Sequence, residues 1–215
     1  MRGITIIYNN KSVHTGNDLD LVQEEKKIEK PDVQSPTVKV PGRNGLLNLT
    51  KGLTGKVNYY NRNLTFEYFG TGARAHLLEL DFIMSQYHGQ TIKIIDDDYP
   101  THYYEGEATV STEFHSNYIT IKITVDAQPF RLKINPTVIT RTLNGSAAIT
   151  LENESIEAIP TIKVTAETTI VFGSVNVTLA AGTYRDEALE LKGGANVFNV
   201  SGTGTITIEY QEGAI

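Results

Sequence analysis

Apolar and polar residues alternate along most of the chain, which is the pattern of half-buried β-strands. The clearest alternation covers residues 3 to 8, 91 to 96, 102 to 114 and 117 to 125. The Asn9-Asn10 pair after the first run suits the positive φ angles of a tight hairpin turn. We therefore predict a mainly β chain.

One segment changes from strand spacing to helical spacing. In residues 72 to 88, apolar residues recur every three or four positions, and Gly89 is well placed to end a helix. The apolar stripe consists of Ala73, Leu77, Leu80, Met84 and Tyr87. The pattern predicts one α-helix that packs one face on a sheet.

Residues 19 to 41 predict a long two-stranded arm around a Lys30-Pro31-Asp32 turn. Its apolar residues are Leu19, Leu21, Val22 and Ile28 before the turn, and Val33, Val38 and Val40 after it. The middle of this arm, QEEKKIEKPDVQS, is strongly polar and cannot bury both faces in its own domain. It is either a solvated projection or a surface that another chain covers, and both interpretations stay open.

The stretch from Pro129 to Pro136 predicts a domain boundary, because a hairpin ends there and a new strand pattern begins at Val138. We expect domains at residues 1 to 132 and 137 to 215. The second contains short strands near 138 to 143, 147 to 152, 160 to 166, 169 to 172, 175 to 179, 189 to 191, 195 to 200 and 204 to 210. Gly173-Ser174 is predicted as a hairpin turn, and Gly202 to Gly204 as another. This spacing is typical of a sandwich or jelly roll.

Composition excludes several kinds of chemistry. The chain has no cysteine, so disulfides, thiolate nucleophiles and Cys-ligated zinc are excluded. The apolar run in MRGITIIYNNK is too short for a signal peptide, and no segment reaches the roughly 18 apolar residues of a membrane span. We expect a soluble protein made in the cytoplasm. The net charge of −6 divides evenly between residues 1 to 130 and 131 to 215, so neither half has the basic footprint of a nucleic-acid-binding domain.

A glycine loop, Gly70 to Ala75, lies between an apolar strand and the predicted helix, as a dinucleotide-binding loop would. Asp96 follows at the end of the next strand, near the expected position of a ribose-binding carboxylate. However, the strand before the loop alternates in polarity, and no further βα units follow. We therefore favour glycines that end a strand and start the helix, and we expect no cofactor.

The acidic cluster of Asp96, Asp97, Asp98, Glu105 and Glu107 with His102 contains the ligand types of a hard cation site, but it lacks the spacing of a calcium loop. The five histidines show no zinc-binding spacing, and no serine elbow is present. We expect neither a metal site nor catalytic residues. The sequence predicts that the protein is not an enzyme.

Several segments of the sequence resemble those of a known protein family. The opening RGITIIYNN, residues 38 to 68, His88-Gly89 and DAQPF at 126 to 130 resemble the N-terminal domain of distal tail proteins (Dit) of siphophages. The phrases IPTIKV, TLAAGTYRDEALELKGGANVFNVSG and TGTITIEYQEG resemble the galectin-like C-terminal domain of the same proteins. The resemblance implies a β-sandwich-like N-terminal domain with one helix and a projecting hairpin arm, followed by a galectin-like β-sandwich.

The resemblance also implies a function: a closed ring of six subunits at the phage tail tip, joining the tail tube to the baseplate and host-adsorption apparatus. The implied partners are the tail tube protein and the tail-associated baseplate hub protein, with a receptor-binding protein as a further candidate. It implies neither sequence-specific nucleic-acid binding nor membrane insertion. The alternative function is a tail module that binds host glycans, but the chain has no tryptophan and lacks the sugar-binding phrases of galectins.

Assembly requires contacts between subunits, for which the arm supplies candidates. The candidate interface residues are Glu24, Glu25, Lys26, Lys27, Ile28, Val33, Arg43 and Arg62. Each of the two arginines could make bidentate contacts to a carboxylate of a neighbouring subunit. Alternatively, each could satisfy carbonyls or an acidic side chain within its own domain. We slightly favour the second interpretation for Arg43 and leave both open for Arg62.

Overall fold

The computed structural model describes residues 2–42, 44–49 and 56–215. The chain divides into two compact units, Met1–Pro129 and Phe130–Ile215. Both are built mainly from β-strands, so the predicted fold class is confirmed.

Seven strands of the first unit form an antiparallel sheet in the order β2-β1-β9-β10-β11-β8-β3. The elements of this unit are β1 (Ile4–Tyr8), β2 (Lys11–His14), β3 (Val22–Ile28), β4 (Val33–Gln34), β5 (Thr37–Val38), β6 (Leu47–Asn48), β7 (Asn58–Tyr59), β8 (Arg62–Thr71), α1 (Arg74–Ser85), β9 (Thr91–Asp96), β10 (His102–Phe114) and β11 (Tyr118–Ala127). The predicted Asn9-Asn10 turn is confirmed, since both residues have positive φ and Tyr8 pairs with Lys11.

The sheet curls so that its two ends share one core. Ile4 and Ile94, near one end, belong to the same buried cluster as Phe66 and Ile121, near the other. The long strand β10 makes this bend, because it pairs with β9 at its start and with β11 further along. Gly106 lies where the two pairings overlap, and a Cβ there would approach the carbonyl oxygen of Asp126 to 2.3 Å.

Helix α1 buries Leu77, Leu80 and Met84 in this core, as its spacing predicted. The glycine loop before it is not part of a dinucleotide-binding unit, because β8 pairs antiparallel with both β11 and β3. Such a loop needs parallel strands joined across the helix. Gly70 instead lets the helix lie close to the sheet, since a Cβ there would be 2.8 Å from the Leu80 side chain.

The predicted pairing of the arm is wrong. Residues 22–28 do not fold back on residues 33–40; they form the edge strand β3 beside β8. The projecting hairpin is made further along, where β4 pairs with β7 and β5 pairs with β6. The N–H of Tyr60 donates to the carbonyl oxygen of Asp32 at 2.8 Å and closes its base. Below, "the arm" means residues 30–60.

The second unit is a bent antiparallel sheet in the order β16-β15-β18-β14-β17, with β13 also paired to β18. Its elements are β12 (Arg131–Lys133), β13 (Thr137–Asn153), β14 (Thr161–Val164), β15 (Thr168–Phe172), β16 (Val175–Leu179), β17 (Gly182–Arg185), a 3-10 helix (Glu187–Leu189), β18 (Gly194–Tyr210) and β19 (Gly213–Ala214). The Gly173-Ser174 turn is confirmed, because Phe172 pairs with Val175 across it.

The predicted turn at Gly202 to Gly204 is wrong, because both glycines lie inside the continuous strand β18. Residues before them pair with β15, and residues after them pair with β14. The strand therefore bends here, and Phe198 and Ile208 on its two halves face one buried cluster. The opposite strand β13 is likewise continuous, and its Gly145 pairs with Gly202.

Substitution at the bend should separate backbone strain from crowding. Gly145 (φ 103°) and Gly204 (φ 93°) both have left-handed backbone angles. A Cβ at Gly145 would meet nothing within 4 Å, whereas one at Gly204 would lie 2.6 Å from Thr165 Oγ1, which accepts the Thr205 N–H. We expect Gly145→Ala to cost about 1 kcal/mol and Gly204→Ala about 2 kcal/mol or more in urea unfolding. Equal costs would contradict the proposed crowding.

Residues near the C-terminal end of the chain contact the segment before β13 and hold it against the second unit. Strand β19 pairs with β12, and the buried Glu212 accepts a hydrogen bond from Lys133 Nζ at 2.7 Å and another from the Thr137 hydroxyl. Burial, together with the charges of Glu212 and Glu152, raises the pKa of Tyr210 to about 12. Residues 130–136 therefore belong structurally to the second unit.

These contacts predict where an independent fragment begins. Residues 130–215 expressed alone should fold as a β-rich monomer, by circular dichroism and light scattering. Residues 137–215 should be less stable by at least about 2 kcal/mol, because they lack Lys133 and β12 and leave the Glu212 carboxylate buried without its cation. Equal stability of the two fragments would show that β12 contributes nothing, and a random-coil spectrum for the longer one would contradict an independent unit.

Candidate subunit interface

Strand β3, at the edge of the sheet in the first unit, carries five of the candidate interface residues. Glu24, Glu25 and Lys27 are exposed, whereas Lys26 and Ile28 are partly buried. The pairing with β8 shifts between Gln23 and Glu25, so Glu24 is the extra residue of a β-bulge. Within the described part of the chain, β8 is the only strand that pairs with β3. Its outer edge therefore carries backbone groups that another strand can pair with.

Lys26 is directed into its own unit and not toward a neighbour. Its Nζ donates to both carboxylate oxygens of Asp96, at 2.7 and 2.8 Å, and also to Asp98. Asp96 is 1% exposed and ends β9, so this ion pair joins two strands that β10, β11 and β8 separate in the sheet. Arg2 extends the network, with Nη2 3.7 Å from Asp98.

The charges of this network stabilise each other. Burial lowers the pKa of Lys26, but hydrogen bonds and charges from Asp96 and Asp98 outweigh it and raise the pKa above its ordinary value. The hydrogen bond from Lys26, with its charge, lowers the pKa of Asp98 below its usual range. Lys26 and Asp98 therefore both stay charged near neutral pH.

Removing the Lys26 charge should destabilise the first unit. Lys26→Met leaves the Asp96 carboxylate buried without its main cation, and we expect a loss of about 3 kcal/mol in denaturant unfolding. The neighbouring Lys27 is the matched control, because it pairs with Glu29 at 2.6 Å on the solvent side. Lys27→Met should leave the free energy of unfolding almost unchanged. If both variants unfold alike, the Lys26 network does not hold the curled sheet.

Arg62 is also an internal residue, with 4% of its surface exposed. Its Nε donates to the carbonyl oxygen of Glu29 at 2.7 Å and its Nη1 to that of Pro129 at 3.3 Å. The guanidinium also lies over the Tyr104 ring, 5.1 Å from the ring centre. These contacts match the interpretation in which Arg62 satisfies carbonyls of its own domain. Arg43, its counterpart in the sequence argument, lies outside the described residues.

The described residues of the arm are mostly exposed and partly apolar. Its exposed large apolar residues are Val33, Val38, Leu46, Val57 and Tyr60. Val33, the candidate interface residue on the arm, is 50% exposed. Side chains of this kind gain stability when a partner covers them.

The arm differs sharply in charge from the rest of its unit. Residues 30–60 contain five basic residues and one acidic residue, a net charge of +4. The remaining residues of 1–129 contain eight basic and fifteen acidic residues, a net charge of −7. The even split of charge between the two halves of the chain conceals this contrast, which becomes visible once the limits of the arm are known.

The sequence raised two further candidate sites, one for a metal ion and one for a sugar ring. In the described part of the chain, no group of three or more His, Asp or Glu side chains is placed to hold a metal ion. The Lys26 ammonium group occupies the space between Asp96 and Asp98 where a cation would bind. The four aromatic residues from position 138 onward, Phe172, Tyr184, Phe198 and Tyr210, pack in or against the core of the second unit and so do not form an open platform for a sugar ring. Among the described helices, none is both long and apolar enough to cross a membrane.

No protein-family model matches the chain, and no curated protein matches its sequence. Its fold, however, is similar to that of SPP1 Dit (gp 19.1), whose crystal structure is presented as a paradigm of the hub adsorption apparatus in phages that infect Gram-positive hosts. The TM-score is 0.64 at 15% sequence identity, and the match covers 99% of each chain. The chain therefore has a Dit-like phage tail hub fold, and the predicted resemblance to distal tail proteins is confirmed for the fold.

Proposed function

We propose that this protein is a structural component of a phage tail tip, where copies assemble into a ring that connects the tail tube to the host-adsorption apparatus. The observation that carries this proposal is the arm, which is basic in sequence and mostly exposed in its described residues, on an otherwise acidic unit. The similarity in fold to SPP1 Dit, a protein described as a hub, supports the same role.

The arrangement favours head-to-tail contacts. The arm and the acidic surface belong to different parts of the unit, so opposite charges attract the arm of one copy to the body of the next. Such a contact is heterologous: it closes into a ring when the rotation between copies divides a full turn, and otherwise continues as a filament. Six subunits, with the tail tube protein and the baseplate hub protein on either side, are the arrangement that the family resemblance implies.

In this proposal the residues on the outer edge of β3 and on the arm contact the neighbouring copy. Glu24, Glu25, Lys27, Ile28 and Val33 remain interface candidates. Lys26 and Arg62 support the interface indirectly, by holding β3 and the base of the arm in place. The proposed role requires no catalytic group, cofactor or metal ion.

Replacing the arm tests the proposal. Gln34 and Asn58 pair directly, so an Asn-Gly turn in place of residues 35–57 closes the hairpin at its base without disturbing β3 or β8. We expect the variant to keep its thermal unfolding temperature within a few degrees and to remain monomeric. The full-length chain should form a closed oligomer at high concentration and low salt, where opposite charges attract most strongly. Native mass spectrometry and light scattering measure both.

A matched control replaces the Gly173-Ser174 turn of the second unit with Asn-Gly, which changes a hairpin turn without touching the arm. This control should assemble like the unchanged chain. If the unchanged chain and the arm variant contain the same number of subunits at every concentration and salt, the arm does not mediate assembly and the proposed mechanism is wrong.

A further inference from the structure

A small depression lies on the solvent face of the sheet in the first unit, where β3, β8 and β11 meet. It has a volume of about 340 Å³ and is lined by Glu24, Phe69, Thr71, Asn117, Tyr118 and Thr120. The register places these side chains together, because Val22 is opposite Phe69, Phe69 is opposite Thr120 and Thr71 is opposite Tyr118. The bulge at Glu24 places its carboxylate at the rim.

The rings of the depression are held in place but remain accessible. Tyr118 stacks one face on His115, with ring centres 4.1 Å apart and planes 14° apart, yet the residue is 40% exposed. Phe69 is partly buried beside it. An aromatic face of this kind attracts a cation through its quadrupole.

The charges around the depression also favour a cation. No basic group of the described residues forms an ion pair with Glu24, and Glu113 lies opposite Thr120 on β10. Glu67 lies one pair further along β8 and is only partly compensated by Lys122, at 4.0 Å. A carboxylate next to accessible aromatic rings suits an ammonium or guanidinium group, and the acidic surroundings repel anions.

We propose that this depression receives a basic side chain from the tip of the arm, residues 36–49, of a second copy. The tip contains Lys39 and Arg43 and no acidic residue. This inference rests on the proposed function and identifies the binding site of the arm on the neighbouring copy. The contact combines a charge-assisted hydrogen bond to Glu24 with a cation–π contact to Tyr118 or Phe69.

The position of the depression is compatible with an arm supplied by a second copy. Strand β3 runs from Val22, beside the depression, to Ile28, beside the base of the arm. Six residue steps along the strand separate its two ends by about 20 Å. The depression and the base of the arm therefore lie at opposite ends of the same strand, an arrangement that suits a head-to-tail contact.

A peptide added in trans tests directly whether the depression binds the tip of the arm. The N–H of Leu49 donates to the carbonyl oxygen of Pro36 at 2.8 Å, so a cyclic peptide of residues 36–49 preserves the closed hairpin tip. The fluorescently labelled peptide is titrated with the full-length chain below the concentration at which it assembles. We expect saturable binding that weakens at least tenfold in Glu24→Lys and Tyr118→Ala, and equally when Lys39 and Arg43 of the peptide are both replaced by Gln.

Glu79→Lys is the matched control, because it makes the same charge change on α1, which packs against the opposite face of the sheet. It should bind the peptide like the unchanged chain. Absence of saturable binding, or equal affinity for all variants, would overturn the proposal that the depression binds the arm. A neutral oligosaccharide that binds with Tyr118 dependence but without Glu24 dependence would also overturn it, by making the depression a sugar site.

The outcome is separate from that of the arm replacement. If the chain assembles through its arm but Glu24→Lys has no effect, the ring proposal stands and the arm binds at another site. If the chain binds the peptide as expected but never assembles, the binding site stands and the ring proposal is wrong.

Discussion

The buried ion pair of Lys26 with Asp96 is the contact on which the first unit depends. It joins an edge strand to the far half of the same sheet, so the sheet curls around a core instead of lying open. Burying a carboxylate is costly unless a cation and hydrogen bonds accompany it, which makes this pair intolerant of losing either partner. Strand β3 is therefore both part of the core structure and the exposed edge of the unit.

In the proposed assembly, this double role determines how the exposed residues are presented to a neighbouring copy. Lys26 and Arg62 anchor β3 and the start of the arm from inside, so the neighbouring exposed residues are presented in a defined geometry. A pre-organised surface loses less conformational entropy on binding than a mobile one. The segregation of positive charge to the arm and negative charge to the body adds direction, because like surfaces repel and unlike surfaces attract. The proposed assembly would depend on both properties.

The second unit also closes its sheet around a core, and it does so with two long strands that bend. Two 17-residue strands, β13 and β18, pair along their whole length and bend together near Gly145, Gly202 and Gly204. The bend lets one strand contribute to both layers around the core. At its end, Glu212 accepts hydrogen bonds from Lys133 and Thr137, which makes the incoming segment part of the same unit.

Sequence patterns by themselves determined the mainly β class, the helix, most strands of the first sheet and the Asn9-Asn10 and Gly173-Ser174 turns. All of these depend on local periodicity or on backbone angles that particular residues adopt. The family resemblance also led to the correct fold, although no sequence match supports it. Tertiary structure decided the partner of β3, the true limits of the arm and the bend at Gly202 to Gly204, because strand pairing depends on residues far apart in the chain. It also decided the roles of Lys26 and Arg62: a lysine or arginine next to polar residues looks the same in sequence whether it faces a neighbour or a buried carboxylate, and only the folded chain brings Asp96 or the Glu29 carbonyl within hydrogen-bonding distance.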